Sequence, residues 1–295
     1  MQLLIYIITY PFLWFVSILP FKLLYFVSNI VYVFVYKVFG YRRKVVRANL
    51  ELVFPEKTKE EIITIERRFY SHMCDMFLEM VKTMTISENE MQKRFVFENI
   101  EVVQDLEKRK AILMMFPHYA SWEWVIAMDK HIESKGYAVY QRLKNKKFDK
   151  LIRDIRGKFG TKLIETRETP STMRDNRQNN IRSIYGVISD QSPALGITRY
   201  WSDFMNVKVP VHVGSETLAK RFDLAVIYLK VKKVKRGYYS ASFKVLEENP
   251  RELDNYKVTD LFLREVEAHI KVDPAYYFWT HKRWKHKDRV PEEFK

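Results

Sequence analysis

An uninterrupted apolar run from Ala111 to Phe116 constrains the fold of this chain more than any other stretch. Its length is that of a strand buried within a sheet. Pro117 ends it, because proline has no amide hydrogen to donate to a neighbouring strand. We therefore expect the core to be built around this strand.

A histidine and a carboxylate follow this strand closely. His118 comes directly after Pro117, and Glu123 lies five residues further on, where an apolar helical pattern begins. An imidazole takes up a proton near neutral pH, and a carboxylate can fix its tautomer, so the two could form a base and its orienting partner. On spacing alone, the favoured alternative is a loop histidine and a glutamate that only stabilises the helix dipole.

Strand and helix patterns alternate along the rest of the chain. Strands are expected at 95–97, 137–140, 162–165, 184–189, 224–231 and 238–245. Helices are expected at 59–83, 98–109, 123–130, 214–222 and 258–272, and from 169 onward, with Thr58 and Glu61 as a capping box for the first. Residues 194–213 are expected to form a loop. The alternation indicates an α/β fold with a mixed central sheet flanked by helices.

The first 36 residues are nearly all apolar. No charge occurs from Gln2 to Phe21, and only Lys22 interrupts the run before Lys37. A helix of this length could cross a hydrocarbon core of ~30 Å. The prolines and aromatic residues suit a helix lying in the interface equally well, and a buried helix pair of a soluble core is a third interpretation. The segment lacks the basic start and the cleavage site of a signal peptide.

Positive charge dominates the chain, with 51 Lys and Arg against 36 Asp and Glu and a net charge of +15. Such a surplus indicates an anionic partner: nucleic acid, a membrane surface, or a phosphorylated substrate or carrier. A basic cluster from Lys37 to Arg47 follows the apolar segment, which is typical of the cytoplasmic side of a membrane, although a solvated charge run is an alternative. We expect a membrane anchor at 1–40 and one catalytic domain at 41–295.

Several chemistries lack their sequence signals. Cys74 is the single cysteine, which excludes an internal disulfide and agrees with a reducing compartment. The seven histidines show no metal-ligand spacing, and neither a nucleotide-binding glycine loop nor a Gly-x-Ser-x-Gly motif is present. No cofactor and no metal are expected.

Five segments carry a family resemblance: Tyr41-Arg42-Arg43 with Asn49-Leu50 and Phe54-Pro55, His118-Tyr-Ala-Ser-Trp-Glu123, Asp190-Gln191-Ser192-Pro193, Gly214-Ser215-Glu216 with Leu218-Ala219-Lys220, and Tyr277 to Lys285. In this order they resemble the bacterial lipid A secondary (lauroyl/myristoyl-type) acyltransferases of the lysophospholipid acyltransferase superfamily. The resemblance implies a glycerol-phosphate-acyltransferase-like fold. Two departures stand out. The acid of the His-x-x-x-x-acid signature is Glu123 rather than aspartate, and Arg142 is displaced by one position, which makes Arg156 a rival anion contact.

The resemblance implies acyl transfer from an acyl-carrier-protein thioester to a hydroxyl of a phosphorylated lipid A precursor. His118 would be the general base and Glu123 its orienting carboxylate. Arg142 or Arg156 would meet the oxyanion or the acceptor phosphate, and Asp190 and Gln191 would contact substrate. The implied location is the cytoplasmic face of a bacterial inner membrane, beside an anionic surface, with no nucleic acid as partner.

Two alternatives remain at this level. One is an acyl-CoA-dependent enzyme acting on a hydroxyl of another phospholipid or glycolipid. The other is a peripheral membrane or nucleic-acid-binding protein that uses its basic face, for which His118 and Glu123 would be dispensable. The apolar N-terminus disfavours a soluble nucleic-acid binder, which has no use for it.

Overall fold

A computed structural model describes residues 2–294, without the side chains of Gln2 and Leu4. The helices are α1 (Gln2–Ile18), α2 (Phe21–Tyr32), α3 (Arg43–Val53), α4 (Lys59–Lys82), α5 (Glu88–Arg94), α6 (Glu101–Glu107), α7 (Lys146–Arg156), α8 (Thr169–Gln178), α9 (Gly214–Phe222) and α10 (Lys257–Val272). The strands are β1 (Phe95–Phe97), β2 (Ile112–Phe116), β3 (Lys135–Tyr140), β4 (Lys162–Glu165), β5 (Ser183–Ile188), β6 (Trp201–Phe204), β7 (Val207–Pro210), β8 (Ala225–Lys235) and β9 (Tyr238–Glu247). A π-helical turn, Val33–Val38, continues α2, and a 3-10 helix spans Trp122–Lys130.

Seven strands form one mixed sheet in the order β1-β9-β8-β2-β5-β3-β4. Neighbours from β8 to β4 pair in parallel, and the single antiparallel pair is the β8–β9 hairpin. Helices cover the sheet, so the predicted α/β class with a mixed central sheet is confirmed. The carboxyl ends of β2, β5, β3 and β4 therefore meet at one edge, where open α/β sheets bind their ligands.

The central strand is β2, as the apolar run predicts. All five of its residues are buried, with Phe116 the most exposed at 7%. Its neighbours β5 and β8 come from much later in the chain, and each contributes a buried apolar strand of its own.

Two local predictions have different outcomes. The capping box at the start of α4 is confirmed, because Thr58 and Glu61 exchange side-chain and backbone hydrogen bonds. The predicted loop at 194–213 is wrong, since β6 and β7 form a separate antiparallel hairpin there. Met205 and Asn206 make its two-residue turn, both with positive φ. Met-Asn lacks the glycine that usually marks such turns, which explains why the pattern is not recognised.

The N-terminal helices pack against α4 through polar contacts. Tyr25 donates to Glu79 (2.8 Å), Ser28 to Asp75 (2.6 Å) and Tyr36 to Glu66 (2.9 Å). Residues later in the N-terminal segment contact residues earlier in α4, so α2 and α4 are antiparallel. The segment Phe21–Val38 is the one helix in the described part of the chain that is long and apolar enough to cross a membrane.

Helix α1 is held at both ends. Lys82, at the end of α4, donates to the carbonyl oxygens of Ser17 and Leu19 at 2.7 and 2.8 Å. Near the other end, the ring of Tyr6 packs edge-on against that of Phe148 on α7, with 5.6 Å between centroids.

The outward faces of the N-terminal segment expose large apolar side chains. These are Leu3, Ile5, Ile7, Ile8, Phe12, Trp14, Phe15, Ile18, Leu23, Phe26, Ile30, Val33, Phe34, Val38, Phe39 and Tyr41. We call this set the N-terminal apolar surface. So many exposed large apolar side chains in one segment mark an interaction site, because monomeric soluble proteins rarely expose large apolar areas.

Part of the basic cluster after this segment makes internal contacts. Arg43 and Arg47 both pair with the buried carboxylate of Glu66, and Arg42 donates to the carbonyl oxygen of Thr280. These three cations connect the N-terminal segment and α3 to the domain rather than lying free in solvent.

Candidate active site

The register of β2 and β5 brings two polar side chains together. Phe116 lies opposite Ile188 in this parallel pair. His118 and Asp190 each follow two residues later, so they emerge side by side at the carboxyl edge. The Nδ1 atom of His118 lies 2.7 Å from Oδ1 of Asp190, and the backbone amide of His118 donates to Oδ2 at 3.2 Å.

This contact fixes the protonation pattern of the imidazole. Asp190 is 1% exposed, and its carboxylate can only accept hydrogen bonds when ionised. Nδ1 must therefore carry the hydrogen, which leaves the lone pair on Nε2. Burial acts to raise the pKa of Asp190, but the charge and hydrogen bonds of His118 outweigh it and hold that pKa below its ordinary value. The side chain of His118 remains 22% exposed, so Nε2 is accessible to a substrate.

The C-terminal segment supports the turn that carries His118. Phe278 donates its backbone amide to the carbonyl oxygen of His118 (3.1 Å), and the amide of Ala120 donates to that of Tyr276 (2.9 Å). Ala120 has a φ of +51°, which turns the chain sharply after the histidine. The rings of Trp122 and Phe278 lie 5.2 and 6.0 Å from the imidazole.

The loop after Asp190 is held in a similar way. His281 accepts a hydrogen bond on Nε2 from the backbone amide of Ser192 at 3.1 Å. Burial lowers the pKa of His281 to about 4, so it stays neutral and can accept. Gln191 is thereby positioned with its amide nitrogen 3.5 Å from both ring nitrogens of His118.

The expected contact between Glu123 and His118 is not formed among the described residues. Glu123 instead accepts two hydrogen bonds from Arg156, at 2.8 Å from Nε and 2.6 Å from Nη2, and one from the indole of Trp122. The turn at Ala120 gives way to a 3-10 helix that directs Glu123 toward α7. Its carboxylate is thus neutralised by an arginine, and the one that contacts His118 is Asp190.

An elongated cavity of about 930 Å³ opens beside His118. Its polar lining includes Glu123, Arg142, Arg156 and Gln191. Its interior is lined by apolar side chains from β2, β5 and the 3-10 helix: Met114, Phe116, Val125, Ile126, Met128, Ile184, Val187 and Ile188. A cavity that combines an apolar lining with charged and polar side chains can bind an amphiphilic ligand.

Small residues on the sheet give the cavity its room. Gly186 on β5 pairs with Met114 on β2 and with Ala138 on β3, so the three form one row across the sheet. A Cβ atom on Gly186 would lie 3.4 Å from the ring of Phe116 and 3.6 Å from the methyl carbon of Met114. Glycine in a strand interior often marks a close approach by a ligand, and Gly186 lines the cavity at a point where a larger side chain would enter it.

The candidate residues thus divide between the cavity and its surroundings. His118, Glu123, Arg142, Arg156 and Gln191 all line the cavity. Asp190 lies behind His118, fully buried, in contact with its ring. Arg142 is 55% exposed and pairs with Glu165 at 3.0 Å.

Sequence reasoning did not assign roles to Phe278 and His281, or to Asp190 as the histidine's partner. The signal for Asp190 was present, because polar residues at the ends of neighbouring parallel strands meet at the same edge. Phe278 and His281 could be found only through the closing aromatic motif, whose distance along the chain hides its contact with His118. Among the described residues, no group of three or more His, Cys, Asp or Glu side chains is arranged to hold a metal ion.

The α/β sheet thus presents a histidine–carboxylate pair beside a cavity with apolar walls. This arrangement is one that enzymes use to deprotonate a hydroxyl. A family model described as bacterial lipid A biosynthesis acyltransferase matches residues 2–286. The chain belongs to this family and is an acyltransferase. A search of curated proteins found no match.

Proposed function

We propose that this enzyme transfers a fatty acyl chain from an acyl-carrier-protein thioester to a hydroxyl of a phosphorylated lipid A precursor, with His118 as general base. The observation that carries this proposal is the pair of His118 and Asp190 at the mouth of the apolar cavity. The family match supports a lipid A acceptor. The cavity supports an acyl ligand.

In the proposed step, Nε2 of His118 takes the proton of the acceptor hydroxyl. The alkoxide oxygen attacks the thioester carbonyl carbon, and a C–O bond forms. The tetrahedral intermediate then expels the thiolate as its C–S bond breaks, and the proton moves from His118 to that sulfur. The products are an ester and the free carrier thiol, so no enzyme-bound acyl group is needed.

Asp190 is the proposed orienting carboxylate. It keeps Nδ1 protonated and stabilises the imidazolium that forms when Nε2 takes the proton. Gln191 is a proposed substrate contact, since its amide nitrogen lies 3.5 Å from Nε2, beside the position of the reacting oxygen. Glu123 and Arg156 form an ion pair with each other where they line the cavity. Arg142 remains a candidate for binding the phosphate of the acceptor.

Residues 1–40 are the proposed membrane-associating segment, and 41–295 the catalytic domain. The N-terminal apolar surface would enter one leaflet, because its sixteen large apolar side chains are exposed. The 18 residues Phe21–Val38 measure ~27 Å along the helix axis. They run beside α4, whose Glu66, Asp75 and Glu79 would have to enter the hydrocarbon with them. The arrangement therefore supports a helix that lies in the interface rather than one that spans.

The proposed location is the inner membrane, with the domain on its cytoplasmic face. An acyl carrier protein is acidic and soluble, and the net charge of +15 favours its approach by electrostatic steering. A cytoplasmic domain would have direct access to it.

The experiment is an acyl-transfer assay with purified enzyme, acyl carrier thioester and a lipid A precursor, followed by mass spectrometry of the product. We expect His118→Ala to lower kcat by at least about 10³-fold and Asp190→Asn by about 10²- to 10³-fold. Native-like turnover by His118→Ala would contradict the mechanism. The same assay with acyl-CoA tests the donor, and equal kcat/KM with both donors would contradict a carrier-specific enzyme.

A further inference from the structure

A second cavity, of about 530 Å³, lies between α7 and the β3–β4 edge of the sheet. Five of its nine lining residues are cationic: Arg142, Lys146, Lys150, Arg153 and Lys162. Two are acidic, Asp149 and Asp154. We call it the α7 cleft. It adjoins the apolar cavity, with which it shares Arg142 and Thr161, and its other four cations have no role in the proposed acyl-transfer step.

Both acids of the cleft are already engaged. Asp149 accepts from the backbone amide of Leu143 at 2.9 Å and from the hydroxyl of Tyr140. Asp154 pairs with Lys150 at 2.6 Å. Both carboxylates thus have local structural contacts, and the five cations of the lining outnumber these two acids, which leaves the cleft with a net positive charge.

Three cations of the cleft have no anionic partner in the described part of the chain. Lys146, Arg153 and Lys162 are all exposed, and none forms a hydrogen bond or ion pair with another described residue through its side chain. Three such charges around one concave surface repel each other. A bound polyanion would relieve that repulsion, and phosphate is the group that lysine and arginine bind most readily.

The cleft adjoins the apolar cavity. Arg142 and Thr161 line both of them. A ligand bound at the α7 cleft would therefore lie beside the opening that leads to His118.

The cleft also adjoins the N-terminal apolar surface. Helix α7 carries Lys146, Lys150 and Arg153, and the same helix packs against α1 through Phe148 and Tyr6. A molecule with apolar chains in the membrane and phosphates at its surface would meet both features together.

We propose that the α7 cleft binds the phosphate groups of a phosphorylated glycolipid headgroup, and so positions the acceptor hydroxyl at His118. This inference rests on the proposed function and identifies where its acceptor is held. An acidic carrier protein would contact the same charges, but a folded protein would need a broad surface to dock on. The observed feature is a small concave one, next to the membrane-facing helix.

The experiment compares Lys146→Gln/Arg153→Gln/Lys162→Gln with a matched control, Lys59→Gln/Lys257→Gln/Lys271→Gln. The control removes the same charge from exposed lysines outside the cleft. The acceptor is a lipid A precursor carrying two phosphates, or the same lipid after phosphate removal, in zwitterionic detergent. The native enzyme should have a lower KM for the phosphorylated acceptor than for the dephosphorylated one. We expect the cleft substitutions to reduce the ratio of these two KM values about tenfold and to leave the KM for the donor unchanged. The control should keep the native preference.

A rise in donor KM instead of acceptor KM would assign the cleft to the carrier protein and overturn the proposal. If the cleft variant keeps the native ratio of KM values for the two acceptors, the proposal is overturned as well.

A binding measurement separates this inference from the catalytic one. The His118→Ala enzyme, with and without the cleft substitutions, is floated with phosphatidylcholine vesicles that contain either the phosphorylated acceptor or phosphatidylglycerol. We expect the cleft substitutions to reduce flotation with the acceptor at least threefold more than with phosphatidylglycerol. Equal losses would assign the cleft to anionic lipid in general and overturn the headgroup proposal. Because no turnover is needed, this result is readable even where the catalytic mechanism fails.

Discussion

His118 contacts Asp190 twice, once through its ring and once through its backbone amide. The second contact matters because it fixes the carboxylate relative to the main chain of the loop as well as to the ring. Contacts from two directions hold the imidazole in one orientation beside the cavity. The proposed chemistry thus depends on the ends of two neighbouring strands.

The pair of Glu123 and Arg156 leads to a prediction about stability. Glu123 is 9% exposed, and Arg156 neutralises it through two hydrogen bonds. Arg156→Met should lower the free energy of unfolding by about 3 kcal/mol, because it leaves a buried carboxylate without a partner. The double variant with Glu123→Gln should be more stable than Arg156→Met alone. Chemical denaturation of the four proteins measures this coupling, and additive effects would contradict it.

The same variants separate the roles of the two carboxylates. Because Glu123 does not contact His118, Glu123→Gln should reduce kcat less than Asp190→Asn does. An equal or larger loss in Glu123→Gln would return the orienting role to Glu123.

At this scale the sequence predicts residues that line the cavity better than it predicts the contacts that these residues make. His118 is recognisable because it follows a buried strand and a proline. Its partner is not, because Asp190 is 72 residues away and its proximity depends on strand order and register. The short sequence distance to Glu123 is misleading, since the positive φ of Ala120 redirects the chain between them.

Among the secondary-structure elements, the row formed by Met114, Gly186 and Ala138 determines how much space lies above the sheet. Gly186→Val would place two methyl groups into the apolar cavity. We expect the KM for long-chain donors to rise at least tenfold, while donors about four carbons shorter are accepted as in the native enzyme. Steady-state kinetics with a series of acyl carrier thioesters measures this.

Gly196→Val is the matched control, because an added Cβ there meets no atom within 4 Å. It should leave the chain-length profile unchanged. A uniform loss across all donors in Gly186→Val would indicate a distorted sheet rather than a shortened cavity.

The contact between α2 and α4 contains a carboxyl group whose protonation depends on folding. Burial and the charge of Asp75 raise the pKa of Glu79 from 4.5 to about 7. Between these values the unfolded chain releases a proton that the folded protein retains. The free energy of unfolding should therefore fall as pH rises from about 4.5 to 7, by on the order of 3 kcal/mol.

Glu79→Gln removes this dependence and keeps one of the two oxygens, so it can still accept from Tyr25 or Tyr239, which donate to different oxygens of the carboxylate. The free energy of unfolding of Glu79→Gln minus that of the native protein should increase as pH rises from about 4.5 to 7, and it should stay constant at higher pH. Denaturation at several pH values measures the difference. Glu56→Gln, at an exposed site, should show no such change, and parallel stability curves for native and Glu79→Gln proteins would contradict the prediction.

Element boundaries follow the sequence closely in α4, where hydrophobic pattern and capping agree. The hydrophobic pattern alone locates α9 and β4. The β6–β7 hairpin escapes prediction because its strands have four residues each and its turn lacks glycine. Strand order is the part that local pattern cannot supply, since it depends on contacts between distant segments.

For the whole molecule, the N-terminal apolar surface leads to a prediction about membrane binding. Replacing Phe26, Phe34 and Phe39 with serine removes three exposed aromatic side chains from that surface. Each is worth about 2 kcal/mol when buried in an apolar environment, so vesicle binding should weaken at least tenfold. Flotation with lipid vesicles measures this. Val96→Ser/Leu261→Ser/Val272→Ser, which removes exposed apolar residues elsewhere, should bind as the native protein does.

Thiol labelling can distinguish a segment that lies in the membrane interface from one that spans the membrane. Cysteines introduced at Lys22 and Lys37 lie near the two ends of the Phe21–Val38 segment. If the segment lies in one leaflet, an impermeant thiol reagent should label both from the same side of the membrane. Labelling from opposite sides would show that it spans. The native Cys74 is buried and should add little background.

The strand order also has a consequence for biosynthesis. The central strand acquires its neighbours only when β5 and then β8, which begins at Ala225, have left the ribosome. At ordinary synthesis rates, roughly 10 to 40 seconds separate the emergence of Val38 from that of Ala225. During that interval the apolar helices have no completed domain to pack against. The membrane is thus available to them as a partner before the sheet that will carry the active site is complete.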